Sequence, residues 1–361
     1  MTATKTSLYH PVSLNREYLA GKMLEKVGKK HSKQWNNFSI EHRVQVREAF
    51  LESIRSLEES LATGTPAFLI DQALWEKSRF SAGNFPSGFV VSFFKIFKKV
   101  LSVDLPQDYQ KNAIAFAVKT VSVLKSKSAG TGTSADTRTT LSPAAQSFLK
   151  AVLGGDPARG RAVIEKALGA GTPVSEIYTG IFQPVLRETG LLWQQNKATI
   201  AQEHFVAGVI RQIMEQIHDR VAATRKTKRQ KKRVVAACVG EELHEIGIRM
   251  VADFFEMDGW DVYFTGANTP AKSILAAVQQ NKAGVLALSI TMPSRLSDLR
   301  YLVRLLRADA DTAHVKIIVG GYPFSILPDL WKQVGADAVA AGAEEAVAAA
   351  NQLTTGIRRT E

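Results

Sequence analysis

Apolar residues recur every three or four positions through the first part of the chain, which is the spacing of one face of an α-helix. Val46, Phe50, Ile54, Leu57 and Leu61 show this spacing most clearly. Further helices are predicted over Phe68–Phe80, Phe89–Val100 and Tyr109–Leu124. Residues 1–125 therefore predict an all-helical N-terminal domain.

A second helical pattern covers residues 142–224. Ser142 followed by Pro143 is typical of a helix start, because Ser caps the helix and Pro suits its first turn. The later helices are predicted over Ala158–Leu168, Val174–Leu192 and Ile200–Val221. Four helices of these lengths suit a small antiparallel bundle.

From residue 233 to residue 361, short runs of Val, Ile, Leu and Ala alternate with amphipathic helical patterns. Strands are predicted over Arg233–Val239, Trp260–Thr265, Val285–Ile290, Val315–Gly320 and Ala338–Ala340. Helices are predicted over Glu242–Met257, Ala271–Gln280, Ser297–Arg307, Ile326–Val334 and Glu344–Leu353. Buried strands that alternate with helices predict a parallel, doubly wound α/β sheet of the flavodoxin-like (Rossmann-like) class.

Two polar stretches separate these three domains. Residues 126–141 are rich in Ser, Thr and Gly and have almost no apolar content, so we expect a flexible linker. Residues 225–232 form a second, basic linker before the sheet domain. Solvated linkers collect charge, and we find no helix-turn-helix or zinc-finger spacing. We therefore do not expect nucleic-acid binding, although the chain has a net charge of +12.

Composition points to a cytoplasmic protein without a membrane span. No apolar run is long enough to cross a bilayer, and the first residues lack the apolar core of a secretory signal. The single cysteine, Cys238, lies in a predicted buried strand, where we expect it to serve as core.

The most informative motif is Glu242-x-His244-x-x-Gly247, between the first predicted strand and the helix that follows it. Open α/β sheets bind ligands at this carboxyl edge. Glu242 is close enough in sequence to hold one ring nitrogen of His244, which would leave the other nitrogen for a metal. The alternative is a helix N-terminus that carries a His with no such role.

The motif resembles the cobalamin-binding domain, whose lower axial cobalt ligand is a His that displaces the cofactor's own base. The resemblance implies that His244 is this ligand. It also implies that Gly266 and Thr269 lie beside the corrin or its tail, and that Ser289, Thr291, Gly320 and Gly321 line the slot for the dimethylbenzimidazole tail. Thr291 stands where the family has Leu, which is a departure from the pattern.

A second motif, Trp193-x9-Glu203-His204, lies in the predicted bundle and resembles the CarH-type cobalamin photoreceptors. The resemblance implies that the bundle caps the upper face of adenosylcobalamin and that Trp193 packs against the adenosyl group. It implies that Glu203 stands nearby and that His204 coordinates cobalt after photolysis. A light-dependent homo-oligomer then follows as an expectation. The alternative is that Trp193 anchors a core and that Glu203-His204 begins an exposed helix.

The N-terminal domain departs from that family, which normally carries a DNA-binding domain there. Photocobilins resemble this chain in combining a cobalamin photoreceptor core with a second chromophore, so biliverdin is a second candidate cofactor. The Phe-rich helices either border such a pocket or form an ordinary aromatic core. The position of Cys238 in a buried strand argues against covalent attachment of a chromophore.

Two rival functions remain open. One is a corrinoid carrier protein of a methyl-transfer system, which would use the same sheet and the same His244. The other is an interaction module without a cofactor. We find no Ser/His/Asp or Cys/His arrangement for nucleophilic catalysis, so we expect a sensor whose output passes through assembly or a partner protein rather than an enzyme. The remaining histidines are expected at the surface, namely His10, His31, His42, His218 and His314.

Overall fold

The computed structural model describes residues 15–105, 107–126, 140–223 and 232–355. They form two compact units, one drawn from residues 1–137 and 194–196 and the other from residues 138–193 and 197–361. Most of the two predicted linkers, and His10, lie outside the described residues. None of the described helices combines the length and the apolar character that a membrane span requires.

The described part of the first unit is helical. Its helices are α1 (Arg16–Lys30), α2 (Ser32–Asn37), α3 (Ile40–Thr63), α4 (Ala67–Ala82), α5 (Phe89–Asp104) and α6 (Gln107–Lys125). Helix α3 begins where the Ser39 hydroxyl accepts a hydrogen bond from the His42 amide, and it ends at Gly64, which has a φ of 71°. The sequence did not predict α1 and α2.

The phenylalanines form the core of this unit. Phe93, Phe94 and Phe97 are fully buried, and Phe93 stacks on Phe50 with 3.8 Å between ring centroids. Met23, on the inner face of α1, is buried in the same cluster. Of the two alternatives for the Phe-rich helices, these rings match the ordinary aromatic core.

The second unit begins with a group of helices that precedes the sheet. They are α7 (Pro143–Leu153), α8 (Pro157–Gly169), α9 (Val174–Ile177), a π-helix (Tyr178–Phe182), α10 (Gln183–Gln194), α11 (Ile200–Gln216) and α12 (His218–Ala223). We call these helices the cap. Ser142 caps α7 as predicted, accepting from the Ala145 amide at 3.2 Å.

Two cap predictions were too simple. The π-helix interrupts the continuous helix expected over Val174–Leu192. The helix expected over Ile200–Val221 stops at Ile217, and a separate short helix follows. The π-helix contains Gly180 and is followed by Pro184, whereas the break at Ile217 carries neither Gly nor Pro.

The sheet is parallel throughout, with strand order β2-β1-β3-β4-β5. This is the flavodoxin-like order, as predicted. The strands are β1 (Arg233–Val239), β2 (Asp261–Thr269), β3 (Val285–Ser289), β4 (Lys316–Gly320) and β5 (Ala338–Ala340). The helices are α13 (Ile246–Met257), α14 (Ala271–Gln280), α15 (Leu296–Ala308), α16 (Tyr322–Ile326), α17 (Leu330–Val334) and α18 (Ala343–Thr354), with a 3₁₀ turn at Pro293–Arg295 before α15.

The largest boundary corrections fall next to the candidate site. Helix α13 begins at Ile246 rather than Glu242, because the Glu242 backbone carbonyl accepts a hydrogen bond from the Asn268 amide and is unavailable to a helix. Strand β2 continues to Thr269, four residues beyond the prediction, through two register shifts against β1. The helix predicted over Ile326–Val334 is replaced by the short helices α16 and α17.

Helix α13 is buried on two faces and so joins the cap to the sheet. Met250 and Phe254 belong to the apolar cluster of the cap. Ile248 and Phe255 belong to the cluster beneath the sheet. The loop that carries His244 leads directly into this helix, so the cap packs beside that loop.

Candidate functional site

Glu242 is the centre of the site at the carboxyl edge of the sheet. One carboxylate oxygen lies 2.5 Å from His244 Nδ1 and accepts from the His244 amide at 3.0 Å. The other accepts from the Thr291 and Met292 amides at 2.8 and 3.0 Å. The side chain is 1% exposed. Glu242 therefore links the loop after β1 to the loop after β3 through hydrogen bonds.

The surroundings of Glu242 and His244 determine the protonation state of each side chain. Burial alone would raise the pKa of Glu242, but hydrogen bonds and charge from His244 and the backbone amides outweigh it and lower the pKa to about 2. The hydrogen bond from Glu242 raises the pKa of His244, while burial opposes that rise. An ionised carboxylate only accepts, so the His244 Nδ1 atom carries the proton it donates.

His244 fits the role of a single axial metal ligand. Its side chain is half-exposed, and its Nε2 atom has no hydrogen-bond partner in the part of the chain that the structure describes. A carboxylate that fixes one ring nitrogen is the usual partner of a metal-binding His, and it makes the free nitrogen more basic. No group of three or more His, Cys, Asp or Glu side chains within the described ranges could hold a metal ion. A metal bound at His244 would bring its other ligands with it, as cobalt in a corrin does.

The predicted slot residues meet at the ends of three neighbouring strands. Ser289 pairs with Cys238 of β1 on one side and with Gly320 of β4 on the other. Gly321 has a φ of 106°, and a Cβ there would lie 1.9 Å from the Ile290 carbonyl oxygen. Only glycine therefore fits at this position, and the wall beside Ser289 has no side chain there.

Thr291 contributes through its backbone. Its amide donates to Glu242, a contact that Leu would make equally well. The departure from the family's Leu therefore leaves the geometry of the Glu242–His244 pair unchanged.

The other predicted positions of the sheet domain surround the same loop. Gly266 has a φ of 79°, and the Thr269 hydroxyl lies 3.2 Å from the hydroxyl of Thr265. A Cβ at Gly247 would meet nothing within 4 Å, so packing of the chain itself does not require glycine there. Cys238 is buried as predicted, and burial raises the pKa of its thiol to about 12. That thiol is unreactive.

The cap motif is divided between two helices. Glu203 and His204 lie near the start of α11, with 3.6 Å between a Glu203 carboxylate oxygen and His204 Nε2. The side chain of His204 is 72% exposed. The negative charge of Glu203 helps to raise the pKa of His244, after the larger effects of Glu242 and burial. Trp193 is half-buried in the last turn of α10.

A buried polar cluster between cap and sheet was missed by the sequence reasoning. The Tyr178 hydroxyl, in the π-helix, donates to Asp253 on α13 at 2.7 Å. The other oxygen of Asp253 lies 3.1 Å from Arg249 Nε and 3.7 Å from His218 Nδ1. Burial raises the pKa of Asp253, and Tyr178, Arg249 and His218 oppose that rise. We call these four residues the cap–sheet cluster.

This cluster corrects the expectation that the remaining histidines lie at the surface. His218 is half-buried, with a second carboxylate, that of Glu256, 3.5 Å from its Nε2. His31 and His42 are also half-buried, and only His314 is exposed among these four. No local pattern predicted the contacts of His218, because its partners lie more than thirty residues away in sequence.

A second link from cap to sheet starts next to His244. One carboxylate oxygen of Glu245 lies 2.9 Å from Arg211 Nε on α11. The other accepts from the Ala267 amide at the end of β2, at 3.0 Å. Glu245 therefore connects the His244 loop, the end of β2 and the helix that carries Glu203 and His204.

Comparison with known families agrees with this geometry. Residues 232–351 match a family model described as a B12 binding domain, and residues 144–218 match a second model with the same description. The first covers the sheet domain and the second covers most of the cap. The fold, the Glu242–His244 pair and these matches define a cobalamin-binding protein.

Its relatives include corrinoid proteins. The chain is 28% identical over 198 residues to dimethylamine corrinoid protein 2 of Methanosarcina mazei, a match that spans 53% of this chain and 88% of the relative. It is 29% identical over 143 residues to the HTH-type transcriptional repressor CarA of Myxococcus xanthus, spanning 39% of this chain and 46% of that protein. The solved monomethylamine corrinoid protein of Methanosarcina barkeri has the same fold, with a TM-score of 0.51 at 20% identity over 57% of this chain and 96% of that one.

Proposed function

We propose that this protein is a cobalamin-dependent light sensor that uses adenosylcobalamin. The observation that carries the proposal is that Glu203 and His204 lie near the start of α11, whose Arg211 contacts Glu245, the residue next to His244. One imidazole, that of His244, is fixed by a carboxylate. The other, that of His204, is exposed and has only a long contact with Glu203.

When bound, adenosylcobalamin supplies a cobalt–carbon bond that visible light cleaves. In this scheme His244, oriented by Glu242, would hold the cobalt of the cofactor. Trp193 would pack against the adenosyl group, and His204 would be the side chain available to replace that group. The response element is the contact between cap and sheet, where two arrangements can differ in stability.

The test compares dark and illuminated protein loaded with adenosylcobalamin. We expect green light to change both the absorption spectrum and the size of the particle in solution. His204→Ala should give a different illuminated spectrum, whereas the matched variant His314→Ala, at an exposed His, should behave as wild type. If His204→Ala reaches the wild-type spectrum and shows the wild-type size change, the proposed role of His204 is wrong.

The second candidate is a corrinoid carrier of methyl transfer. It is favoured by the similarity to the dimethylamine corrinoid protein of Methanosarcina mazei, which spans 88% of that relative. The same His244 would serve it, with the cap shielding a methyl group. The two candidates are distinguished by loading the protein with methylcobalamin or adenosylcobalamin and illuminating both. A carrier should show no size change specific to the adenosyl form.

Biliverdin remains a prediction for the first unit. Since Phe93, Phe94 and Phe97 are buried against one another, a bilin would need a site elsewhere in that unit. Pigment extracted from protein produced with a biliverdin supply tests this directly. A spectrum with corrinoid bands alone would contradict it.

A further inference from the structure

A groove of about 490 Å³ runs between α1 and α5 in the first unit. Lys26, Lys29 and Lys30 line it from α1, and Lys95 and Lys99 line it from α5. The remaining lining residue is Ile96, which is buried. Every polar side chain that the described part of the chain contributes to the groove wall is therefore a lysine.

Most of this positive charge is uncompensated. Lys29 pairs with the exposed Glu25 at 2.5 Å. Lys26, Lys30, Lys95 and Lys99 have no carboxylate partner among the residues that the structure describes. Like charges four residues apart on a helix are unfavourable in the absence of a counter-charge. A cleft with charge of one sign concentrates oppositely charged solutes.

Two neighbouring side chains report this positive potential. The pKa of Glu25 is lowered mainly by its hydrogen bond with Lys29 and by the charge of Lys29. The charges of Lys22 and Lys26 lower it further. The pKa of His31, at the end of α1, is lowered by burial and then by the charge of Lys30. His31 Nε2 lies 2.7 Å from the Ser92 hydroxyl of α5, so His31 marks one end of the groove.

The shape of the groove limits what can enter it. Packed helices lie about 8–10 Å apart, axis to axis. An apolar partner helix packed over both rows would bury these lysines without a counter-charge, which is unfavourable. Lys26 and Lys30 are separated by about 6 Å along α1, and Lys95 and Lys99 by the same rise along α5. A short chain of linked anionic groups can contact both rows at once.

We propose that this groove binds a small anion that carries several linked phosphate groups. Lysine binds phosphate oxygens as a point charge from any direction, whereas paired recognition of carboxylates favours arginine. Among the described residues that line it, none has a hydrogen-bond acceptor side chain, so recognition rests on the charge of the phosphates rather than on a base or sugar.

The test is titration of the full-length chain with sodium tripolyphosphate, followed by calorimetry. We expect Lys26→Gln/Lys99→Gln to weaken binding by about tenfold or more, since it removes two charge-assisted contacts. The control, Lys150→Gln/Lys272→Gln, removes the same charge from exposed lysines of the second unit and should bind as wild type. Equal affinity for the two double variants would overturn the proposal.

The pKa of His31 provides a second measurement, which distinguishes binding in the groove from a general effect of the net charge of the protein. Tripolyphosphate in the groove should raise the pKa of His31 in an NMR titration of its ring, assigned with His31→Gln. The rise should be lost in Lys26→Gln/Lys99→Gln and kept in the control variant. Lysine-dependent binding of anionic lipid vesicles or a single-stranded oligonucleotide, without binding of tripolyphosphate, would also overturn the proposal.

Discussion

The hydrogen bond from Tyr178 to Asp253 should contribute measurably to the stability of the second unit. Tyr178→Phe removes one hydroxyl group and leaves the ring in place, so the substitution creates no significant cavity. Both side chains are almost fully buried, and a hydrogen bond to a charged group contributes about 1.5–3 kcal/mol. For a unit of this size that loss lowers Tm by about 3–12 °C.

The assay is urea unfolding followed by far-UV circular dichroism, with thermal unfolding in parallel. Tyr301→Phe is the matched control, because Tyr301 is exposed on the same unit. Asp253→Asn completes a double-mutant cycle, in which contacting residues should show a coupling of about 0.5–3 kcal/mol. The reasoning is refuted if Tyr178→Phe unfolds at the same urea concentration as Tyr301→Phe, or if the cycle shows no coupling.

Three further predictions concern Glu242, Gly321 and Glu76. Glu242→Gln should weaken cobalamin binding by about 10- to 100-fold in a spectroscopic titration, because it removes the ionised partner of His244; its neighbour variant Glu241→Gln should bind as wild type. Gly321→Ala should cost more than about 3 kcal/mol or prevent folding, since its Cβ would strike the Ile290 carbonyl, and circular dichroism at matched concentration decides between these outcomes. Burial raises the pKa of Glu76 to about 7 against the pull of Arg79, so this group favours the folded state fully below about pH 4.5 and the advantage is lost as pH rises through 7. Hydrogen exchange should show that α4 is less stable at pH 8 than at pH 5. Glu76→Gln should abolish this pH dependence of stability.

The sequence was most informative where a contact is local. Glu242 and His244 are two residues apart, so their contact could be predicted from position alone, and the parallel sheet followed from runs of buried strand residues. Tyr178 and Asp253 are 75 residues apart, and in sequence they resemble an ordinary core aromatic and an ordinary helix acid. Their contact depends on how the cap packs against α13, which no local pattern encodes.

Helix α1 was missed for a different reason. Its buried residues Leu19, Met23 and Val27 have helical spacing, but they are few among many lysines, and the segment lacks a side-chain cap at its start. The same lysines that obscured the helix form the wall of the groove. The anionic ligand proposed there could not be inferred from sequence, because the groove exists only once α1 and α5 pack side by side.

The four contacts of Glu242 are all made within the chain, so the order of the loop around His244 does not depend on contacts with a cofactor. Its carboxylate already has a full set of donors from two loops, so binding need not supply the entropy of ordering them. With His244 as the proposed cobalt ligand, affinity would then depend mainly on replacement of the cofactor's own base by this imidazole. A cobalamin whose own base is absent or already detached should bind faster than the intact cofactor, with little difference in the conformation of the loop.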